Sequence, residues 1–268
     1  MIIKMKRVLM TILAAVLLVS ASTAQSLRFQ TFTDSVGVMM NGVPIYSTVK
    51  VDFPVDGPAK LVTAIKNAMA KRLEVSMADT KDGKTFVNKV ANKTVADLKE
   101  MFVKDYDQDE TIPELYISHY VNKKDETSTY VTMMYGGNVY YGGAHGDYYA
   151  AGVTYRKSDG RDFRFDILKD GDVWEQIQDK VAAAMRKSYE VNTNAELREI
   201  LMSEQIICDG DLFFVPMPEN HPFVDNGDLV FLYATYEIAP FAVGMPEVRI
   251  PLKDIMQHLS DDVVEMLK

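Results

Sequence analysis

The scarce reactive side chains of this 268-residue chain are four histidines and a single cysteine. His145 draws attention first. It sits in Gly142-Gly143-Ala144-His145-Gly146, with Asp147 two residues on. Glycines let backbone approach a ligand closely, and a histidine at such a turn can act as a base or hold a metal. The same spacing suits a turn histidine whose ring bonds backbone carbonyls and locks the loop. The second reading is preferred, because one histidine with one acid is not a catalytic constellation. Glu237, beside Tyr236 at the end of an apolar run, reads either as a general acid or as a structural carboxylate. In the structural role it caps backbone N–H groups in the Ala239-Pro240 bridge or pairs with Arg249, as charges near a core usually do. His145, Asp147 and Glu237 around one pocket would make an envelope hydrolase, and that is the alternative to a binding role.

The remaining candidates are weaker. His119 lies on the apolar face of a strand and reads as a core or sheet-edge histidine. His221, before Pro222, and His258 read as surface or capping residues. A zinc site needs about three such ligands converging, and His-x-Asp alone is a poor signal. Cys208 excludes an intrachain disulfide and reads as a small buried apolar residue. No Gly-x-Ser-x-Gly elbow and no phosphate-cradling glycine loop is present. Neither metal nor cofactor is expected.

Tyrosines are more telling. Of 14 in the chain, seven fall at Tyr130, Tyr135, Tyr140, Tyr141, Tyr148, Tyr149 and Tyr155. A tyrosine offers a flat apolar face and a hydroxyl, which suits sugars and protein interfaces, although strands favour it on propensity alone. Tyr149 and Tyr155 share a face expected to pack in the core. Tyr140, Tyr141 and Tyr148 flank the glycine loop. With Gly142, Gly143 and His145, and with Tyr236, Pro240 and Phe241 from the later bridge, they form the expected contact face.

These residues need elements to hold them. Leu229–Ile238 is apolar or aromatic at nearly every position and reads as a strand buried on both faces in the middle of a sheet, stopped by Pro240. Glu247–Ile250 returns as a shorter strand. Val43–Phe53 alternates as a half-buried strand. Gly57-Pro58 opens a helix with Leu61, Ile65, Ala68, Met69 and Leu73 inward. Thr94 with Asp97 looks like a capping box for a second helix. Strands at Leu115–Val121, Thr129–Tyr135 and Tyr149–Tyr155 form a meander, with turns at Asn122–Glu126, Gly136-Gly137-Asn138 and Ser158-Asp159-Gly160. Asp172 caps a helix striped by Trp174, Ile177, Val181 and Met185, and Asn194 opens another. Phe223-Val224 meets Leu229 across a turn. Gln25–Met40 has no clear period and reads as a loop; its Asp34-Ser35-Val36 has the form of a short O-glycosylation sequon. The fold class is α+β, a largely antiparallel sheet with helices packed on it in two interlocked halves.

The chain begins with Lys4, Lys6 and Arg7, then an apolar run over Val8–Val19, then small residues. That is the pattern of a cleavable signal peptide, residues 1–24, cut after Ala24. The run is too short for a spanning helix of about 20 residues, so no membrane span is expected after cleavage. Loss of three basic residues makes a chain of formal charge −9 more acidic still. An acidic exported protein, periplasmic or secreted, is a poor candidate for nucleic acid and a fair one for a basic partner.

The pattern Phe223-Val224 … Gly227-Asp228-Leu229-Val230-Phe231 … Tyr236-Glu237-Ile238-Ala239-Pro240-Phe241-Ala242-Val243-Gly244 … Val248-Arg249-Ile250-Pro251-Leu252 resembles the domain family of unknown function numbered 3298. Gly142-Gly143-Ala144-His145 resembles its glycine-and-histidine motif. The likeness runs over roughly residues 112–252, and the organisation expected is an N-terminal α+β subdomain at 25–111 and a family-like domain at 112–268. Tyr46–Leu73 is similar to a domain that precedes it in a cell-wall deacetylase. The resemblance implies an exported or outward-facing protein. One member of the family is the ectodomain of an anti-sigma factor that binds lysozyme, so the resemblance implies a protein ligand of lysozyme-like kind; the tyrosine-rich loops suit a cell-wall glycan as the other expected ligand. This chain has no sigma-binding part and nothing resembling a deacetylase catalytic domain.

Overall fold

The structure, a computed structural model, describes residues 26–106, 112–209 and 212–268. The expected signal peptide and its cut after Ala24 lie outside the described residues. Apolar–polar alternation builds β2, Val43–Asp56, and buries Ile45, Ser47, Val49, Val51 and Phe53 on one face. The preceding residues form no loop. They make β1, Arg28–Met40, paired with β2 along its whole length. Asn41 and Gly42 both take positive φ, 51° and 86°, as a type I′ hairpin turn requires. The strand shows no period because it is an edge with one partner, its residues exposed or half-buried. Asp34-Ser35-Val36 therefore lies in an exposed strand.

Next to β2 runs β3, Leu115–Glu126, in parallel; β4 (Tyr130–Tyr140), β5 (Asp147–Arg156) and β6 (Asp162–Phe163) follow antiparallel, in the order β1-β2-β3-β4-β5-β6. Asn122–Glu126 belongs to β3, so the turn expected there falls later. Helices α1 (Ala59–Arg72) and α2 (Gly83–Asp105) cover one face of this sheet. Leu61, Ile65, Met69, Phe86 and Val90 pack there on Val51, Phe53, Val131, Met133 and Tyr155. The long α2 begins earlier than expected, at Asp82, whose carboxylate accepts from Thr85 N at 2.8 Å. Thr94 and Asp97 are mid-helix, and Asp97 pairs with Lys93. Because β2 and β3 are hydrogen-bonded neighbours, one sheet crosses the 111/112 division between the two halves.

The second half adds its own layer. Strands β9 (Phe223–Asp225), β10 (Asp228–Leu232) and β11 (Glu247–Pro251) form a small sheet with β10 in the middle. Leu229, Val230 and Phe231 are fully buried, as the apolar run predicts. The strand is half as long as expected and centres this small sheet, not the main one. It ends at Leu232 because Tyr233–Ile238 turns, with Tyr236 at φ 64° and Glu237 capping Ala234 N. Helices α3 (Val173–Gln176), α4 (Gln178–Ser188) and α5 (Asn194–Leu201), a ribbon of β7 (Ile207–Asp209) with β8 (Leu212–Phe214), and the closing α6 (Leu252–Ile255) and α7 (Asp261–Met266) complete it. Trp174 packs on Phe231 at 5.0 Å between rings. Thr193, not Asn194, caps α5, in a capping box with Glu196, and Asp172 makes no cap. Cys208 is half-buried against this core.

Two buried threonines join the layers. Val224 N donates to Thr154 Oγ1 at 2.8 Å, and Thr132 Oγ1 donates to Val224 O at 2.6 Å. The remaining hydroxyl proton, on Thr154, must then go to Thr132, 2.9 Å away. Both backbone groups of Val224 are thus satisfied by side chains of the main sheet, as buried groups demand.

Candidate functional site

Cross-strand tyrosines lead to the glycine loop. Tyr46 stacks on Tyr116 at 5.2 Å, and Tyr116 lies 6.0 Å from Tyr140. Tyr140 Oη donates to Gly143 O at 2.9 Å, and Tyr106 Oη bonds Tyr141 O. Gly142 takes φ 86°, and a Cβ there would stand 2.8 Å from Ile112, so glycine is needed twice over. At the next pair, β4 is not broken. Gly136 and Gly137 are buried strand residues, crowded by Tyr120, Ser118 and Tyr149.

The glycine loop and the bridge after β10 meet. The His145 ring stacks on Phe241 at 4.1 Å between centroids, with Tyr148 and Tyr236 each 5.7 Å from Phe241. Nδ1 of His145 donates to Gly146 O at 2.8 Å, since a carbonyl can only accept. The neutral ring then offers Nε2 as acceptor to Tyr236 Oη, 3.2 Å away. The turn-histidine reading holds, and the ring has a second partner 91 residues along the chain. Asp147 fastens the same junction: its Oδ1 accepts from Tyr148 N at 2.7 Å and from Thr235 Oγ1 at 2.9 Å. Pro240 precedes a single helical turn at Phe241–Val243, which Gly244 closes at φ 86° with Tyr148 Oη beside it. Tyr236 is 59 % and Tyr141 45 % exposed. All nine expected contact residues therefore lie in or beside this junction. Gly244 closes the Ile238–Gly244 loop expected to contribute to this face; Thr235 was not foreseen, and nothing in its local sequence signals it.

Each residue of the hydrolase alternative is engaged with other partners. Glu237 accepts from Glu219 N at 2.7 Å and Ala234 N at 2.6 Å, so both its oxygens serve the backbone. The capped groups lie outside the Ala239-Pro240 bridge. Arg249 pairs instead with Asp225, Asp228 and Glu247. Neither Asp147 nor Glu237 bonds His145. Among the described residues no group of three or more His, Cys, Asp or Glu could hold a metal. What the junction can offer is a set of ring faces, two hydroxyls and an imidazole edge.

His221 accepts from Arg72 at 3.3 Å and His258 lies against Gln257. His119 is held inside, its Nδ1 2.7 Å from Tyr149 Oη and its Nε2 3.0 Å from Thr94 Oγ1. Tyr149 is not core packing. It is 41 % exposed, because it lies over Gly137 rather than beneath a helix. Burial, then the Lys93 charge, push His119 down to about 4, with Glu74 opposing. A depressed histidine stabilises the fold fully above its unfolded value near 6.5, and the stability is lost as pH falls toward 4. By pH 5 the loss is roughly 2 kcal/mol. Urea unfolding at pH 7.5 and pH 5 should show it, and His119→Gln should remove most of that difference.

Residues 165–253 match the family model described as "Protein of unknown function (DUF3298)". The match takes in the second layer, from before α3 through β11, and begins well after residue 112, leaving the glycine loop outside. Two solved structures are similar over nearly the whole chain. A DUF3298 family member from Bacteroides fragilis covers 91 % of this chain and 98 % of its own, at 19 % identity and a TM-score of 0.71. A DUF3298 family protein from Pseudomonas aeruginosa covers 89 % and 96 %, at 12 % identity and 0.59. At these identities the likeness shows the fold. No curated protein matches the sequence. No described helix is long and apolar enough to cross a membrane.

Proposed function

We propose that this chain is an exported, non-catalytic binding protein of the cell envelope. Its contact surface is the junction of the Tyr140–Tyr148 and Ile238–Gly244 loops. One observation carries the reading: Tyr236, an aromatic residue in the left-handed region, stands 59 % exposed beside the His145–Phe241 stack. Such a conformation costs about 1–3 kcal/mol, and an exposed ring returns little of it to the core. Aromatic side chains already ordered before binding are what tight protein interfaces use as anchors.

Two partner classes fit. A basic, lysozyme-like protein would be drawn by the net negative charge, −9 over the full sequence, and the resemblance to a family with one lysozyme-binding member supports it. A cell-wall glycan would lie on the ring faces. The resemblance of residues 46–73 to a deacetylase-associated domain favours the same surroundings. Export rests on the basic and then apolar start of the sequence. The test is titration of Gln25–Lys268 with a basic lysozyme and with soluble peptidoglycan fragments at low salt. One of the two should bind, and the Tyr236→Ser/Phe241→Ala double variant should weaken that binding by about tenfold or more. No binding to either, or undiminished binding by the double variant, overturns the reading.

A further inference from the structure

A separate cleft opens at the edge of the main sheet. Beyond the two residues paired with β6, Thr154 and Tyr155, β5 has no strand on its outer side. Arg156 N donates to Arg161 O across that side, so by the twofold strand period the backbone groups of Gly152, Ala150 and Tyr148 point the same way. Tyr148 N is taken by Asp147. Ala150 O receives only a long contact, 3.5 Å, from Asn220 Nδ2. Facing this edge is a cleft of about 410 Å³, within the range of small-ligand sites, lined by Arg72, Tyr149, Ala150, Glu219, Asn220 and Met245 among others.

Two opposite charges line the cleft. Arg72, at the end of α1, is held by its guanidinium lying 4.9 Å over the Tyr135 ring and by donation to His221 Nε2. It forms no ion pair with any described carboxylate. Glu219, which also lines the cleft, uses its backbone N–H on Glu237 and forms no ion pair among the described residues. A cation and an anion thus line one cleft without neutralising each other, although each would gain from a partner of opposite sign.

We propose that this cleft binds a short peptide with free termini, laid along β5 as an added strand. The peptide carboxylate meets Arg72, whose planar fork suits it. The ammonium faces Glu219. Main-chain groups of the peptide pair with Ala150, and the Tyr149 hydroxyl borders the same space. An extended dipeptide or tripeptide spans roughly 7–10 Å, at 3.3 Å per residue, a length such a cleft can hold. None of the aromatic rings of the loop junction takes part, so peptide binding here and recognition at the junction can fail separately.

Calorimetric titration of the full chain with tri-alanine tests it, beside the same peptide amidated at its C-terminus or acetylated at its N-terminus. The free peptide should bind. The amide should bind about tenfold more weakly or worse, and Arg72→Gln should reduce the affinity for the free peptide to a similar degree. Acetylation and Glu219→Gln should weaken binding in the same manner. Both replaced side chains are exposed, so unchanged melting temperatures would confirm intact folds. Failure of tri-alanine to bind, or binding of both blocked peptides as tight as that of the free one, overturns the proposal.

Discussion

Replacing Arg249 with methionine is expected to destabilise the protein by roughly 3 kcal/mol or more. Asp225 is only 1 % exposed, and Arg249 Nη2 meets its Oδ2 at 2.8 Å and its carbonyl at 3.0 Å. The same guanidinium holds Asp228 through Nε at 3.1 Å and Glu247 through Nη1 at 3.0 Å. Methionine keeps much of the stem but leaves Asp225 buried with the Asn226 amide at 3.0 Å and, as its remaining cation, Lys124 at 3.7 Å. A charge stranded in this way carries its desolvation penalty uncompensated, which is why breaking a buried pair costs far more than making it gains. The pair also ties β9 to β10 and β11, so the small sheet that carries the Tyr233–Gly244 bridge loosens with it. Urea unfolding at neutral pH would measure the loss. Adding Asp225→Asn to the variant should recover part of it, since the stranded charge goes.

The second large effect belongs to Gly137→Ala. A Cβ at this position would stand 2.0 Å from Ser118 O and 2.7 Å from Tyr149 Oη. The first neighbour is backbone of the adjacent strand and cannot swing away. Separating β3 from β4, or bending β4, is expected to cost about 3 kcal/mol, the upper part of the overpacking range. For a chain of this size that lowers Tm by on the order of 10 °C. Gly143→Ala is the control. Its added methyl finds nothing nearer than His145 O at 4.0 Å, so the melting temperature should stay within a degree or two of the parent. The contrast also explains why the glycines at 136 and 137 looked like a turn. Their purpose is to make room for Tyr120 and Tyr149, and close approach within a strand leaves the same mark on a sequence as a bend does.

What could be read in advance followed from local physics. The alternation of β2, the stripe on α1 and the buried apolar stretch at Leu229–Leu232 each encode their own burial. The turn at His145 was legible for the same reason, because its ring bonds the very next residue's carbonyl. Long-range matters were not. Nothing near Leu229 says that its strand centres a small second sheet, for a doubly buried strand looks alike in either place. β1 carries no apolar rhythm because it is an edge strand half-open to solvent, although Asn41-Gly42 is a hairpin signal in the sequence. Tyr149 was assigned to the core by parity alone. Parity gives the face of a sheet but not how far along it the helices reach. Of the contact face, the two loops were legible one by one; that Asp147 and Thr235 clasp them together was not, since a pairing over 88 residues leaves no local trace.

Recognition at this face requires two distant loops to close into one aromatic surface, and the His145 ring reports on that closure. Nuclear Overhauser contacts between the His145 and Phe241 ring protons, in the free protein in solution, are the direct measurement. Strong cross-peaks between those rings are expected, with the proton of neutral His145 on Nδ1. Absence of any cross-peak between them, in spectra where both rings are assigned, would contradict the surface and the recognition built on it.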